Sequence, residues 1–169
     1  MGRIAWLAVA LLAAQPARAQ NAWDLGKKAV GGAATGNLEK QLNTHLLEES
    51  RKNQCSFKTD SDELEKGCDQ KARRLAQAVV DAKKQLEGAG VRSFKFEVSG
   101  HTDSSGSAAH NKELSQKRAE RMRKELVAKG VPAGDVTAIG MGSERPLVKP
   151  DNTAAKKAKN RRYEVRVRL

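Results

Sequence analysis

Between residues 100 and 122 the sequence GHTDSSGSAAHNKELSQKRAERM brings together side chains capable of ionic chemistry: His101, Asp103 and, fifteen positions on, Arg118. Leu114, Arg118, Met122 and Leu126 recur every four residues, so in a helix they stack on one face. A cation therefore interrupts an apolar stripe. If Arg118 faces inward its charge needs a partner, because an unpaired buried charge costs several kcal/mol. Asp103 is the nearest acid placed to supply one. Two arrangements satisfy that need, a structural Asp103–Arg118 pair or a zwitterionic ligand shared by both, and spacing alone does not choose between them.

Catalysis fits these residues poorly. His101, Asp103 and Ser104 or Ser105 are near neighbours in sequence, whereas a hydrolytic triad needs partners converging from separate elements. No G-x-S-x-G elbow is present. His101 and Asp103 would share one side of an extended segment as metal ligands, but His110 is the only nearby candidate for a third. We therefore expect no enzyme activity, no cofactor and no metal.

The surrounding elements follow from periodicity. SFKFEVS alternates Phe94, Phe96 and Val98 against Lys95 and Glu97, as in a half-buried strand ending just before His101. Open α/β sheets place ligand sites at such strand ends. Asn111 is a reasonable N-cap for a helix running to Lys129, stopped by Gly130 and Pro132. Its first turn brings free N–H groups and a positive dipole end close to Asp103, a setting suited to a carboxylate.

Upstream, QCSFK is a short strand candidate. From Asp69 the set Ala72, Leu75, Val79, Ala82 and Leu86 marks an amphipathic helix ended by Gly88 and Gly90. Downstream, VTAIGMG is a further strand, a long loop holds one helical turn, and RRYEVRVRL alternates Tyr163, Val165, Val167 and Leu169 with arginines and Glu164. The order β-α-β-α-β-(turn)-β predicts an α/β (α+β sandwich) domain over 53–169, a small mixed sheet with helices packed on one face.

Residues 1–19 read as a secretory signal peptide: Met1–Arg3 is basic, IAWLAVALLAA apolar, and Ala17-Arg18-Ala19 a small-x-small site. Cleavage after Ala19 and a periplasmic location, peripheral to the outer membrane or free of it, are the expectation. No cysteine follows the apolar run, so no lipid anchor is expected there. Residues 20–52 read as a flexible leader, Gly- and Ala-rich to about 37, then a short amphipathic helix on Leu38, Leu42 and Leu46. Export favours pairing Cys55 with Cys68, the only two cysteines. Closing so short a loop stabilises by roughly 3 kcal/mol. Free thiols are the alternative, and two cysteines without a nearby histidine make a metal site remote.

The chain has 32 Lys+Arg against 20 Asp+Glu, a formal +12, and loss of Arg3 and Arg18 with the signal leaves +10. Such charge favours anionic partners. Aromatics are 4% of residues, too few for the stacking platforms of single-stranded nucleic-acid binders. With export, this excludes nucleic acid and directs attention to acidic lipid, lipopolysaccharide or an acidic wall polymer.

The stretch from Phe96 to Val131, then GMGSERPLVKPDNTAAKKAKNRRYEV, resembles the OmpA-like C-terminal domain, with peptidoglycan-associated lipoproteins and flagellar stator periplasmic domains among its members. The likeness runs from about 54 to 169 and rests on an ordered motif: G-H-T-D, N-x-x-L-S-x-x-R-A, G-x-G-S/E-x-x-P, N-x-T and N-R-R. The resemblance implies non-covalent binding of peptidoglycan through the diaminopimelate of its stem peptide. By matching position, Asp103 would take the ammonium and Arg118 the carboxylate through a bidentate fork. Thr102 and Asn111 fall where the family places supporting hydrogen bonds, and Asn160 and Arg161 where it borders the pocket. The chain departs from the family at His110, usually an aromatic, and at Lys156-Lys157, usually Gly-Arg. The Cys55–Cys68 pair is expected to strap the first strand to the first helix, away from the motif. The alternative function is a basic adaptor or surface binder, using residues 20–52 or the C-terminal arginines and lysines against an envelope protein or an anionic outer-membrane surface.

Overall fold

The computed structural model describes residues 17–169, and their side chains from residue 32. The apolar run of the expected signal peptide lies outside the described residues. Elements follow in the order α1 (Ala17–Lys52), α2 (Cys68–Gly88), β1 (Lys95–His101), α3 (Ala108–Ala128), β2 (Val136–Gly140), α4 (Ala154–Asn160) and β3 (Arg162–Arg168). Residues up to Ala34 form one unit and Thr35–Leu169 a second.

The α/β class holds. The sheet is mixed and three-stranded, ordered β2-β1-β3, with β1 parallel to β2 and antiparallel to β3. Alternation sends Phe96, Val98, Tyr163, Val165 and Val167 into one core with the apolar faces of α2 and α3 and with Leu42 and Leu46 of α1. Leu42 and Leu46 thus pack on the domain. The opposite face carries Glu97, Ser99, His101, Arg162, Glu164 and Arg166.

Two elements differ from expectation. The first strand of the expected order is reduced to an isolated bridge between Phe57 and Leu64. Its place at the edge of β3 is taken by side chains of α1 and by Gln54, two residues beyond it. Asn43 donates to the Val167 carbonyl (3.1 Å) and accepts from its N–H (2.7 Å), and Ser50 accepts from Val165 N–H (3.0 Å). Gln54 donates to the Tyr163 carbonyl (2.7 Å) and accepts from its N–H (3.2 Å). Asn43 and Ser50, seven residues apart, share one face of α1, Gln54 follows two residues beyond its end, and the residues they meet are every second one along β3. Polar side chains thereby satisfy the exposed ladder groups that would otherwise invite another strand. Gln116 of α3 does the same for β2, accepting from Gly140 N–H (2.6 Å) and donating to the Ala138 carbonyl (3.3 Å).

The second difference is the leader. α1 is a single helix from Ala17 to Lys52 and passes through the Gly-rich run read as flexible. Glycine lowers helix propensity by about 1 kcal/mol, but no proline occurs between 17 and 52 to break the hydrogen-bond ladder.

Candidate functional site

β1 ends at His101, and Thr102 and Asp103 lead from it toward α3. Two glycines set how closely α3 can approach. A Cβ at Gly100 would lie 2.3 Å from the Ser115 carbonyl oxygen, and one at Gly140 would lie 2.4 Å from Gln116 N. Helix backbone thus rests directly on the strands, and the α3 face carrying Asn111, Ser115 and Arg118 is pressed against the strand ends. The cap differs from expectation: Ser107, with extended backbone, accepts from His110 N–H, and α3 starts at Ala108. Asn111 lies inside the first turn instead. Its amide donates to the Ser105 carbonyl (2.7 Å) and the Asp103 carbonyl (3.4 Å), shaping the loop that presents Asp103.

Arg118 faces inward, at 8% exposure, but its partner is not Asp103. Asp103 pairs with Arg161, whose Nη1 lies 2.7 Å from Oδ2, while Oδ1 accepts from Ser105 N–H at 2.9 Å. Burial pushes the Asp103 pKa up, but Arg161 and the Ser105 bonds outweigh it and hold the carboxyl below its usual value. Arg118 donates Nε–H to the Ser61 carbonyl (2.9 Å) and Nη2–H to the Lys58 carbonyl (3.3 Å), with its guanidinium 5.1 Å from the Phe57 ring centre. Among the described residues no acid lies within ion-pair distance of it. Burial first, then Arg161, lowers its pKa, with Asp60, Asp103 and Asp62 opposing. A guanidinium has five N–H donors, so three remain without a protein acceptor among the described residues.

Both residues line a cleft of about 1100 Å³ with His101, Thr102, Asn111 and Arg161. Two buried atoms in its lining lack a hydrogen-bond partner, Thr102 Oγ1 and His101 Nδ1, a deficit of about 1–3 kcal/mol each in a closed interior. The other ring nitrogen of His101 lies 3.3 Å from Ser99 Oγ. Burial, then Arg162, pushes the His101 pKa down to about 4, so the ring is neutral at neutral pH.

Asn160 is not brought to the cleft. Its oxygen accepts from Leu147 N–H (2.8 Å) and Val148 N–H (3.1 Å), and its nitrogen donates to the Val148 carbonyl and Asp151 (both 3.0 Å). Its bonding capacity is spent on the 147–151 loop. Sequence reasoning passed over Asp151, which accepts from Ser104 N–H (2.9 Å) and Ser104 Oγ–H and thereby ties that loop to the Asp103 turn. These bonds, Ser104's hydroxyl first, hold its pKa at about 2. Nothing in the spacing of residues 104 and 151 signals the contact.

The disulfide forms between Cys55 and Cys68, but its loop is not remote from the motif. Phe57, Thr59 and Asp60 form part of the cleft wall, and the carbonyls holding Arg118 belong to the same loop. His110, which departs from the family pattern, reaches Asp60 there with Nε2 2.6 Å from Oδ1. Among the described residues no cluster of three or more His, Cys, Asp or Glu could hold a metal ion.

Residues 56–161 match the OmpA family. Over 72 residues, 42% of this chain, the sequence is 50% identical to outer membrane porin F of Pseudomonas fluorescens, and the match covers 22% of that protein. A stretch of 68 residues is 43% identical to the peptidoglycan-associated lipoprotein of Pasteurella multocida, covering 40% of this chain and 45% of that one. The chain thus spans about a fifth of the first relative and under half of the second. The crystal structure of the peptidoglycan-associated lipoprotein from Burkholderia pseudomallei is similar at a TM-score of 0.55 and 26% identity, covering 68% of this chain and 89% of that one.

Proposed function

The chain belongs to the OmpA family, and on that premise we propose that it grips peptidoglycan non-covalently in the periplasm, taking the diaminopimelate of the stem peptide in the cleft of Asp103 and Arg118. One observation carries the reading: Arg118 is a buried cation in an open cleft, held by carbonyls and a ring but, among the described residues, by no carboxylate. Diaminopimelate carries an ammonium and a carboxylate on one carbon. Its carboxylate would take the remaining Arg118 N–H groups as a bidentate fork. Its ammonium would join Arg161 and Ser105 N–H on Asp103, whose two oxygens offer about four acceptor sites. The unpartnered Thr102 hydroxyl supports a further ligand contact. Asn111 contributes by shaping the Asp103 loop, and Asn160 by holding the loop behind it. The module needs no cofactor and performs no chemistry of its own.

The test is pulldown of the exported protein on purified diaminopimelate-type sacculi at low and high salt, beside Asp103→Ala and Arg118→Ala. We expect wild-type retention to persist at high salt and both variants to be lost. Equal retention of all three, abolished together by salt, would instead identify a diffuse basic surface binding anionic envelope partners, since salt screens such attraction.

A further inference from the structure

We propose that the loop closed by Cys55–Cys68 is a working wall of the cleft: it sets the Arg118 guanidinium in position for the ligand carboxylate. The inference rests on the wall-binding reading above. Its feet are Cys55, three residues beyond α1, and Cys68, the first residue of α2. Between them the chain folds back on itself. Phe57 bridges Leu64, Lys58 N–H donates to the Glu63 carbonyl (2.9 Å) and Glu65 N–H to the Ser56 carbonyl (3.0 Å).

Three groups from this excursion converge on Arg118. The Ser61 carbonyl takes Nε–H, the Lys58 carbonyl takes one Nη2–H, and the Phe57 ring lies against the guanidinium. Together they fix both the tilt and the rotation of a planar group, leaving Nη1 and the second Nη2–H to be offered as a fork. Asp60, at a left-handed φ of 52°, bends the tip so that its carboxylate meets His110 on the first turn of α3. The loop is therefore tied down at its feet by the disulfide and at its tip by the helix that carries Arg118. An arginine freed from the loop would have to recover its rotamer each time a ligand arrives, an ordering cost that weakens binding.

A staple without a part in binding would affect stability alone, and the test separates the two roles. The full exported chain is compared with the Cys55→Ser/Cys68→Ser double variant and with Phe57→Leu, which keeps the disulfide. The probe is a soluble diaminopimelate-containing disaccharide tetrapeptide. A second readout, independent of binding, is the NMR signal of the Arg118 Nε–H, assigned by its loss in Arg118→Lys. In wild type this proton should exchange slowly. In the double variant it should exchange fast while the amides of Phe96 and Val98 stay protected, and affinity should fall at least tenfold. Phe57→Leu should lose about threefold. A folded double variant that keeps the slow Nε–H signal, or binds within twofold of wild type, overturns the proposal. Should the double variant not fold, Phe57→Leu decides by the same two readouts. If wild type ignores the muropeptide, the wall-binding reading fails, and the Nε–H signal alone still tells whether the loop holds Arg118.

Discussion

Arg118 on α3 and Arg162 at the start of β3 both line the cleft and are both largely withdrawn from solvent, yet the fold answers their charges in opposite ways. Arg162, whose side chain is 7% exposed, meets Glu164 at 2.8 Å and also donates to the Asn160 (3.3 Å) and Arg145 (3.1 Å) carbonyls. Glu164 takes Arg166 as well, at 3.1 Å, and although burial raises its pKa, these arginines hold the carboxyl below its usual value. That cluster is closed. Arg118 receives two carbonyls and a ring, which carry partial charge only, and keeps donors to spare. A fold can leave a cation half-compensated where an outside anion completes the set, which is the role proposed above for the cleft at the end of β1.

The sharpest way to break this comparison is to remove each charge in turn. Arg118→Met should reduce binding of the soluble muropeptide by about a hundredfold while leaving urea stability unchanged or slightly raised, because no buried acid loses its partner. Arg162→Met should do the reverse. Binding should stay within about threefold, but stability should fall by roughly 3 kcal/mol as Glu164 is left short of compensation. If both variants lost both properties, the two arginines would not differ in kind.

A smaller effect sharpens the closed side. His101 pairs in register with Arg162, and its pKa is pushed from 6.5 down to about 4. Between those values the unfolded chain binds a proton that the folded one refuses, so stability must fall as pH drops from about 6.5 to about 4 and gain nothing above. The expected size is roughly 3 kcal/mol. Urea titrations at stepped pH should show this slope in wild type and lose most of it in His101→Gln. In Arg162→Met the slope should shrink, because a cation that disfavours protonation is gone.

Smallest of all should be the effect at the edge of β3 that faces α1. Asn43→Ala and Ser50→Ala each leave a ladder N–H without its partner and should cost about 1 kcal/mol in urea unfolding. Muropeptide affinity should be unchanged, whereas a loss there would mean that α1 supports the cleft.

Much of this was legible locally. The alternation of Phe96 with Val98, and of Tyr163, Val165 and Val167, gave two strands to within a residue or two of their ends. The four-residue spacing around Arg118 placed that side chain inward. The ordered motif from G-H-T-D to N-R-R led to the family. Less visible was Asn111, which has the right residue type for a cap; Ser107 lies four residues earlier with equal chemistry, and only backbone conformation decides which is used. The first strand was misread because QCSFK has strand-like composition, while the competing feature, a polar face of α1 meeting every second residue of β3, joins residues more than a hundred positions apart.

The sequence by itself determined α2, α3 and the three strands of the sheet, which of their faces are apolar and that a cation would sit among apolar neighbours, because periodicity acts between residues a turn or two apart. Tertiary structure alone decided that Asp103 pairs with Arg161 and that the disulfide loop carries the carbonyls for Arg118. It also decided that Asn160 serves the scaffold and not the cleft. The reason is physical: charge compensation depends on distances of a few ångströms between segments far apart in sequence, and only strand pairing and helix docking set those distances.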